Sequence, residues 1–163
     1  MTISENVPEI AKAFPIGTLK AATPLPTSLL PAPLRLTPDS GDYILQRVSD
    51  IFGDDLFTDI EAVTKHLQEK GVMTFSLIRA NDGALFHRND AGRWRLITAL
   101  PGETLSRAPT LEELESAGAL IGEFHAALSD YQGEIRHRLP GFHDTPAYME
   151  RLRALDVSES ASL

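Results

Sequence analysis

The 163-residue sequence contains no cysteine, which excludes a disulfide framework, a thiolate zinc site and a thiol nucleophile. It has no apolar run approaching the roughly 18 residues that a bilayer-spanning helix needs. Its start, MTISENVPEI, lacks the basic flank and apolar block of a secretory signal. These absences lead to the expectation of a soluble, cytoplasmic protein without a membrane partner. Basic charge is also scarce: 15 Lys and Arg against 23 Asp and Glu give a net charge of −8 and a pI near 5.0. Nonspecific nucleic-acid binding draws most of its affinity from phosphate neutralisation by Lys and Arg, so no nucleic-acid partner is expected. His66, His87, His125 and His137 show no metal-ligand spacing such as HExxH, so no metal ligands are assigned; His125, on an apolar helix face, reads as a core residue.

What is present is a chain 42% hydrophobic and 23% charged, of a length ordinary for one domain. Proline is concentrated at the start: Pro8, Pro15, Pro24, Pro26, Pro31, Pro33 and Pro38 all fall in the first forty residues. Residues 1–33 therefore read as a short helix followed by broken, extended chain in which any strand is confined to an edge. From Leu34 the pattern alternates, with Leu34 and Leu36 before a Pro38-Asp39-Ser40-Gly41 turn and Tyr43, Leu45 and Arg47 on one face after it, a hairpin signal.

Leu56, Ile60, Val63 and Leu67 then share one face of a helix over 56–70, ended by Gly71. Three apolar runs follow, MTFSLI, ALF and RWRLITAL, separated by Asn81-Asp82-Gly83 and Asn89-Asp90-Ala91-Gly92, and they predict an antiparallel meander stopped by Pro101-Gly102. Thr110 and Glu113 form a capping box for a helix whose apolar face carries Leu114, Ala117, Ile121, Phe124 or His125, and Leu128. Thr145-Pro146 opens a last helix with Tyr148, Leu152 and Leu155. The remainder, 156–163, is small and polar and reads as a disordered tail.

An α+β order of this kind, an antiparallel sheet of about five strands with one helix inserted after the third strand, then a linker and two following helices, is the plan of a protein-kinase-like small lobe. Four segments make the likeness more specific: Tyr43-Ile44-Leu45-Gln46-Arg47, Ile60–Leu67 (IEAVTKHL), Trp94–Glu103 (WRLITALPGE) and Leu139–Pro146 (LPGFHDTP). In this order they resemble the aminoglycoside phosphotransferase and choline kinase superfamily, with the closest likeness to its N-acetylhexosamine kinase group. The resemblance implies a small nucleotide-binding lobe over 1–100, and a linker with the first helices of a large lobe over 101–155. It further implies ATP with Mg as cofactor, and transfer of the γ-phosphoryl to a hydroxyl of a sugar or amino-alcohol acceptor.

Carried over residue by residue, the resemblance makes Thr98, Ala99 and Leu100 the adenine-binding linker, through backbone groups. Glu61, on the first long helix, falls in the region of the ion-pair partner; the alternative is a solvated acid on the polar face. Many relatives have a lysine or arginine where Gln46 aligns, so Gln46 is the candidate phosphate contact, and Arg47, on the opposite strand face, is either the alternative contact or a surface cation. The loop between the first two strands departs from the family: Thr27-Ser28-Leu29-Leu30-Pro31-Ala32-Pro33 has no glycine and two prolines without N–H, leaving Thr27 and Ser28 as the candidate phosphate contacts.

The family's His-Gly-Asp loop and its magnesium-binding aspartate have no counterpart in the sequence, so no catalytic residue is assigned. His143-Asp144 belongs to the PGFHDTP segment, where Asp144 or Thr145 reads as a helix cap. The expectation is therefore the amino-terminal portion of a sugar-kinase-like enzyme, inactive alone and prone to self-association through an exposed lobe interface. A free-standing binding or regulatory module without phosphotransfer is the second reading.

Overall fold

A computed structural model describes residues 3–25, 32–102, 107 and 110–155. Among these the elements run α1 (Ile3–Lys12), β1 (Leu19–Pro24), β2 (Leu34–Pro38), β3 (Tyr43–Val48), α2 (Asp55–Glu69), β4 (Leu77–Ile78), β5 (His87–Asn89), β6 (Gly92–Thr98), α3 (Leu111–Leu128) and α4 (Thr145–Ala154). The six strands form one antiparallel sheet in the order β1-β2-β3-β6-β4, with β5 also on β6. An α+β small lobe with one helix inserted after the third strand is thus what the sequence folds into. Proline-bounded β1 lies at an edge, where its missing ladder donors cost least.

The three-run meander is not what forms. β4 and β5 do not pair with each other; both lie along β6, on Leu96-Ile97 and Gly92–Trp94 respectively, as one interrupted edge. The ALF run is not a strand, and the strand begins at His87. The reason lies in the intervening loop. Asn81 donates its backbone N–H to the Ala13 carbonyl and its side-chain N–H to the Lys12 carbonyl, both at 2.8 Å, so the loop is spent on capping the C-terminal end of α1. Both turn predictions hold: Gly83 has φ 86°, and Asn89↔Gly92 closes a two-residue hairpin with Gly92 at φ 124°.

The strand alternation divides the sheet into two faces. Leu34, Leu36, Leu45, Trp94 and Leu96 meet Val7, Ile10, Ala11, Phe14 and Ile16 from α1 and the segment after it, which is the main core. Ladder partners Ile44↔Ile97, Gln46↔Arg95 and Val48↔Arg93 lie on the other face. There α2 buries Phe57, Asp59, Thr64 and Leu67, with Leu56, Ile60 and Val63 half-buried. The buried stripe of α2 is therefore turned from the predicted one by about one position. Phe57 draws it round, stacking on Phe86 at 4.6 Å, while Thr64 satisfies its hydroxyl within its own helix on the Ile60 carbonyl at 2.8 Å.

Thr110 and Glu113 form the predicted capping box on α3, and Asp144 caps α4 by accepting from the Ala147 N–H at 3.1 Å. The predicted apolar face of α3 is not buried: Leu114 and Ile121 are 56% and 58% exposed. His125 is exposed as well, which corrects its reading as a core residue. The helix touches the rest of the chain mainly at its C-terminal end, where Ala127 is buried and its carbonyl lies 2.9 Å from His66 Nε2 on α2. The tail 156–163 lies outside the described residues.

Candidate functional site

An open cleft of about 850 Å3 lies between α2 and the face of β3 and β6 that α1 does not cover. Gln46 and Arg95 line it from the sheet, Leu56 and Ile60 from α2, and Ser49–Phe52 close one end. Pro33, from the base of the β1–β2 loop, borders it too, and the loop base is tied by the Leu25 N–H to the Pro33 carbonyl at 2.9 Å. A smaller hollow of about 280 Å3 lies on the opposite face between α1 and β1; its one cation, Lys20, is paired with Asp39 at 2.6 Å.

Two arginines on β6 follow the strand period onto the cleft face, and they serve different ends. Arg93 is 2% exposed and engaged through both terminal nitrogens: it reaches Asp54 Oδ1 at 2.7 Å and the Ser49 and Phe52 carbonyls at 2.6 Å, with Phe57 and Phe86 against its guanidinium. Its Nε lies 3.2 Å from Asp50 Oδ1, an ion pair whose direction does not make a hydrogen bond. Arg93 is thus the clamp that fixes the chain between β3 and α2. Arg95 is different. Its Nε donates to Gln46 Oε1 at 2.8 Å and its guanidinium carbon stands 5.9 Å from the Phe75 ring centre, but among the described residues no carboxylate meets it. Burial lowers its pKa from the ordinary value, since removing water disfavours the charged form.

The predicted site residues separate accordingly. Gln46 is in the cleft, directly across the ladder from Arg95. Arg47 borders the cleft, but its guanidinium is turned to the other sheet face, beside Gly92; a Cβ at Gly92 would come within 2.7 Å of Arg47 Nε. Glu61 is not joined to either. Both its carboxylate oxygens accept from Arg79 Nη2, at 2.7 and 2.6 Å, at the far edge of the sheet beyond β4. Thr27 and Ser28 lie outside the described residues. No three His, Asp or Glu side chains converge as a metal site among the described residues.

Thr98, Ala99 and Leu100 stand at the end of β6, and their backbone N–H groups are not equivalent. The Thr98 N–H donates to the Ser76 carbonyl and the Ala99 N–H to the Asp42 carbonyl, each at 3.0 Å. The Ser76 N–H goes to the Thr98 hydroxyl, at 3.0 Å, and not to its carbonyl. Among the described residues the Leu100 N–H has no partner, so it is the donor this segment has left to offer.

The sequence model of the phosphotransferase enzyme family, APH, matches residues 31–161. The chain belongs to this family. The match begins just before β2 and covers β2 to β6, the cleft, the segment after β6, α3 and α4, and leaves out α1 and β1. No curated protein matches the chain.

Sequence reasoning missed Arg95. Its signal was present in the alternation of Arg93-Trp94-Arg95, which places both arginines on one face and Trp94 on the other. What the sequence withheld was the register, which puts Arg95 and not Arg93 opposite Gln46.

Proposed function

We propose that this phosphotransferase-family chain is the nucleotide-binding portion of an ATP-dependent small-molecule kinase, with a small lobe over 1–100 and the first large-lobe helices over 101–155. The acceptor is a hydroxyl compound, a sugar of the N-acetylhexosamine type by the likeness of YILQR and PGFHDTP. The observation that carries the reading is the open cleft between α2 and the Gln46–Arg95 face, in a sheet that leads into the linker. An adenine ring has the Leu100 N–H as donor and the Thr98 carbonyl as acceptor, and a phosphate chain has the Arg95 guanidinium. ATP when bound supplies the phosphoryl group; the chain's own residues hold and orient it. Magnesium ligands and a general base belong to family motifs that this sequence does not contain, so phosphoryl transfer is not assigned to this chain.

A binding module without phosphotransfer is the second reading, favoured by the glycine-free loop with Pro31 and Pro33. The two are separated by calorimetric titration with adenosine and with Mg-ATP. The nucleotide reading expects both to bind and ATP to bind more tightly; equal affinities support the phosphate-blind module, and no binding of either removes the nucleotide reading. The exposed apolar face of α3, with Leu114, Leu120, Ile121 and Phe124, supports self-association of the chain.

A further inference from the structure

We infer that Arg95, on β6, is the cation that receives the nucleotide's phosphates in this chain, with Gln46 as the positioning residue that aims it. The inference rests on the nucleotide-binding reading above and assigns to its cleft a residue that the family resemblance did not name.

A charge inventory around the cleft singles Arg95 out. Asp50, at the rim, is drawn to Arg93 at 3.2 Å and to Arg88 at 4.0 Å. Arg88 also meets Asp54 at 3.3 Å, and Arg79 is held by Glu61. Arg47 turns its guanidinium to the opposite sheet face. Among the described residues that line the cleft, Arg95 is therefore the one whose guanidinium lies on the cleft face without a carboxylate.

Its geometry suits a phosphate. Of the five N–H donors of a guanidinium, one is fixed on Gln46 Oε1 at 2.8 Å, leaving the four on Nη1 and Nη2 as the planar fork that matches two phosphate oxygens. The Gln46 bond and the Phe75 ring hold the group, so little side-chain freedom is left to lose on binding. The half-buried setting that lowers its pKa also strengthens its attraction for an anion, because the local dielectric is below that of water.

The arrangement explains the neutral residue at the β3 position. Gln46 and Arg95 are cross-strand neighbours, so moving the cation from β3 to β6 displaces it by about one strand spacing, roughly 4.8 Å, within the same cleft. A lysine at 46 would stand against Arg95; a glutamine carbonyl accepts from it. In this chain the cleft's unmatched positive charge thus stands on β6, with the neutral Gln46 opposite it on β3.

Isothermal titration of the full chain with inorganic tripolyphosphate, Mg-ATP and adenosine tests this in wild type, Arg95→Gln, Arg95→Lys, Arg47→Gln and Arg35→Gln. Arg95→Gln is expected to weaken tripolyphosphate and ATP by about tenfold or more and to leave adenosine unchanged. Arg95→Lys, which retains the charge and loses the fork, falls between, and Arg35→Gln, which removes a charge already paired with Asp42 at 2.9 Å and outside the cleft lining, behaves as wild type. Equal tripolyphosphate affinity in wild type and both Arg95 variants, including no binding in any, overturns the inference. So does a loss that appears with Arg47→Gln in place of Arg95→Gln. Should Arg95→Gln fail to fold by circular dichroism, Arg95→Lys decides alone through a severalfold loss or its absence. Tripolyphosphate binding through Arg95 with no binding of adenosine or Mg-ATP supports Arg95 as a phosphate contact and removes the nucleotide reading, so the two fail separately.

Discussion

Arg95 and Gln46 face each other across the β3–β6 ladder, and the Arg95 Nε donates to Gln46 Oε1 at 2.8 Å on the cleft side of the sheet. A neutral amide opposite a half-buried guanidinium satisfies one N–H and leaves the charge unmatched. Gln46→Glu is expected to match it: the protein gains about 1 kcal/mol in urea unfolding from the charge-assisted bond, and loses tripolyphosphate affinity because the cation is already paired. Loss of stability, or retained tripolyphosphate affinity, would show that Arg95 does not lack a counter-charge.

Asp59 is a buried carboxylate with a structural task. It accepts from the backbone N–H of Arg136 at 3.0 and 3.2 Å and of His137 at 2.7 Å, tying the chain after α3 onto α2. Asp59→Ala leaves two backbone donors without a partner and is expected to cost about 2–3 kcal/mol in urea unfolding. It should also speed trypsin cleavage at Arg136 and Arg138. Unchanged cleavage would mean that the segment is held by other contacts.

The Glu61–Arg79 pair is half-exposed, and its value is correspondingly modest. A double-mutant cycle on stability with Glu61→Gln and Arg79→Gln is expected to give a coupling of about 0.5–1 kcal/mol that shrinks in 1 M salt. A coupling that appears in ATP affinity and not in stability would return Glu61 to the phosphate site.

Asp130 joins α2 to the end of α3. Lys70, hydrogen-bonded to it, holds its carboxyl below the ordinary carboxylate range, and His66 Nε2 lies 3.2 Å away. A carboxyl with a depressed folded-state pKa contributes stability above its unfolded value of about 3.9, and that contribution is lost as pH falls from there through the folded value. Asp130→Asn should therefore melt below wild type at pH 6, with the difference closing in the acid limb below about pH 4. A difference independent of pH across this window would contradict the assignment.

The apolar face of α3 yields a further expectation. Leu114→Lys with Ile121→Lys should shift the chain toward monomer in light scattering, since both side chains stand in solvent. A wild-type chain that is monodisperse and monomeric at high concentration would remove the self-association proposal.

Much of this was legible before the structure. The hairpin around Asp39-Ser40, the Gly71 stop, the Thr110 box and the Asp144 cap are local devices, and local spacing is enough to read them. The face of α2 was misread by a position because Phe57 and Phe86, far apart in sequence, stack on one another. The middle strand was misread because Asn81 caps a helix nearly seventy residues earlier. In the candidate site, motif reasoning names Gln46, which lies in the cleft, and Leu100, whose N–H has no partner among the described residues. Arg95 and the bond that diverts Glu61 to Arg79 depend on register and on a sheet edge, which a single sequence does not encode locally.

The proposed nucleotide would run along β6, with its base at Leu100, beyond the end of the strand, and its phosphates at Arg95 in the cleft. Titration followed by 1H–15N correlation spectroscopy reads both ends at once, through the Leu100 amide and the Arg95 side-chain Nε–H. The account predicts that Mg-ATP shifts both signals at one affinity while adenosine shifts Leu100 alone. Mg-ATP leaving both signals unmoved, or shifting the Arg47 Nε–H in place of Arg95, would contradict it.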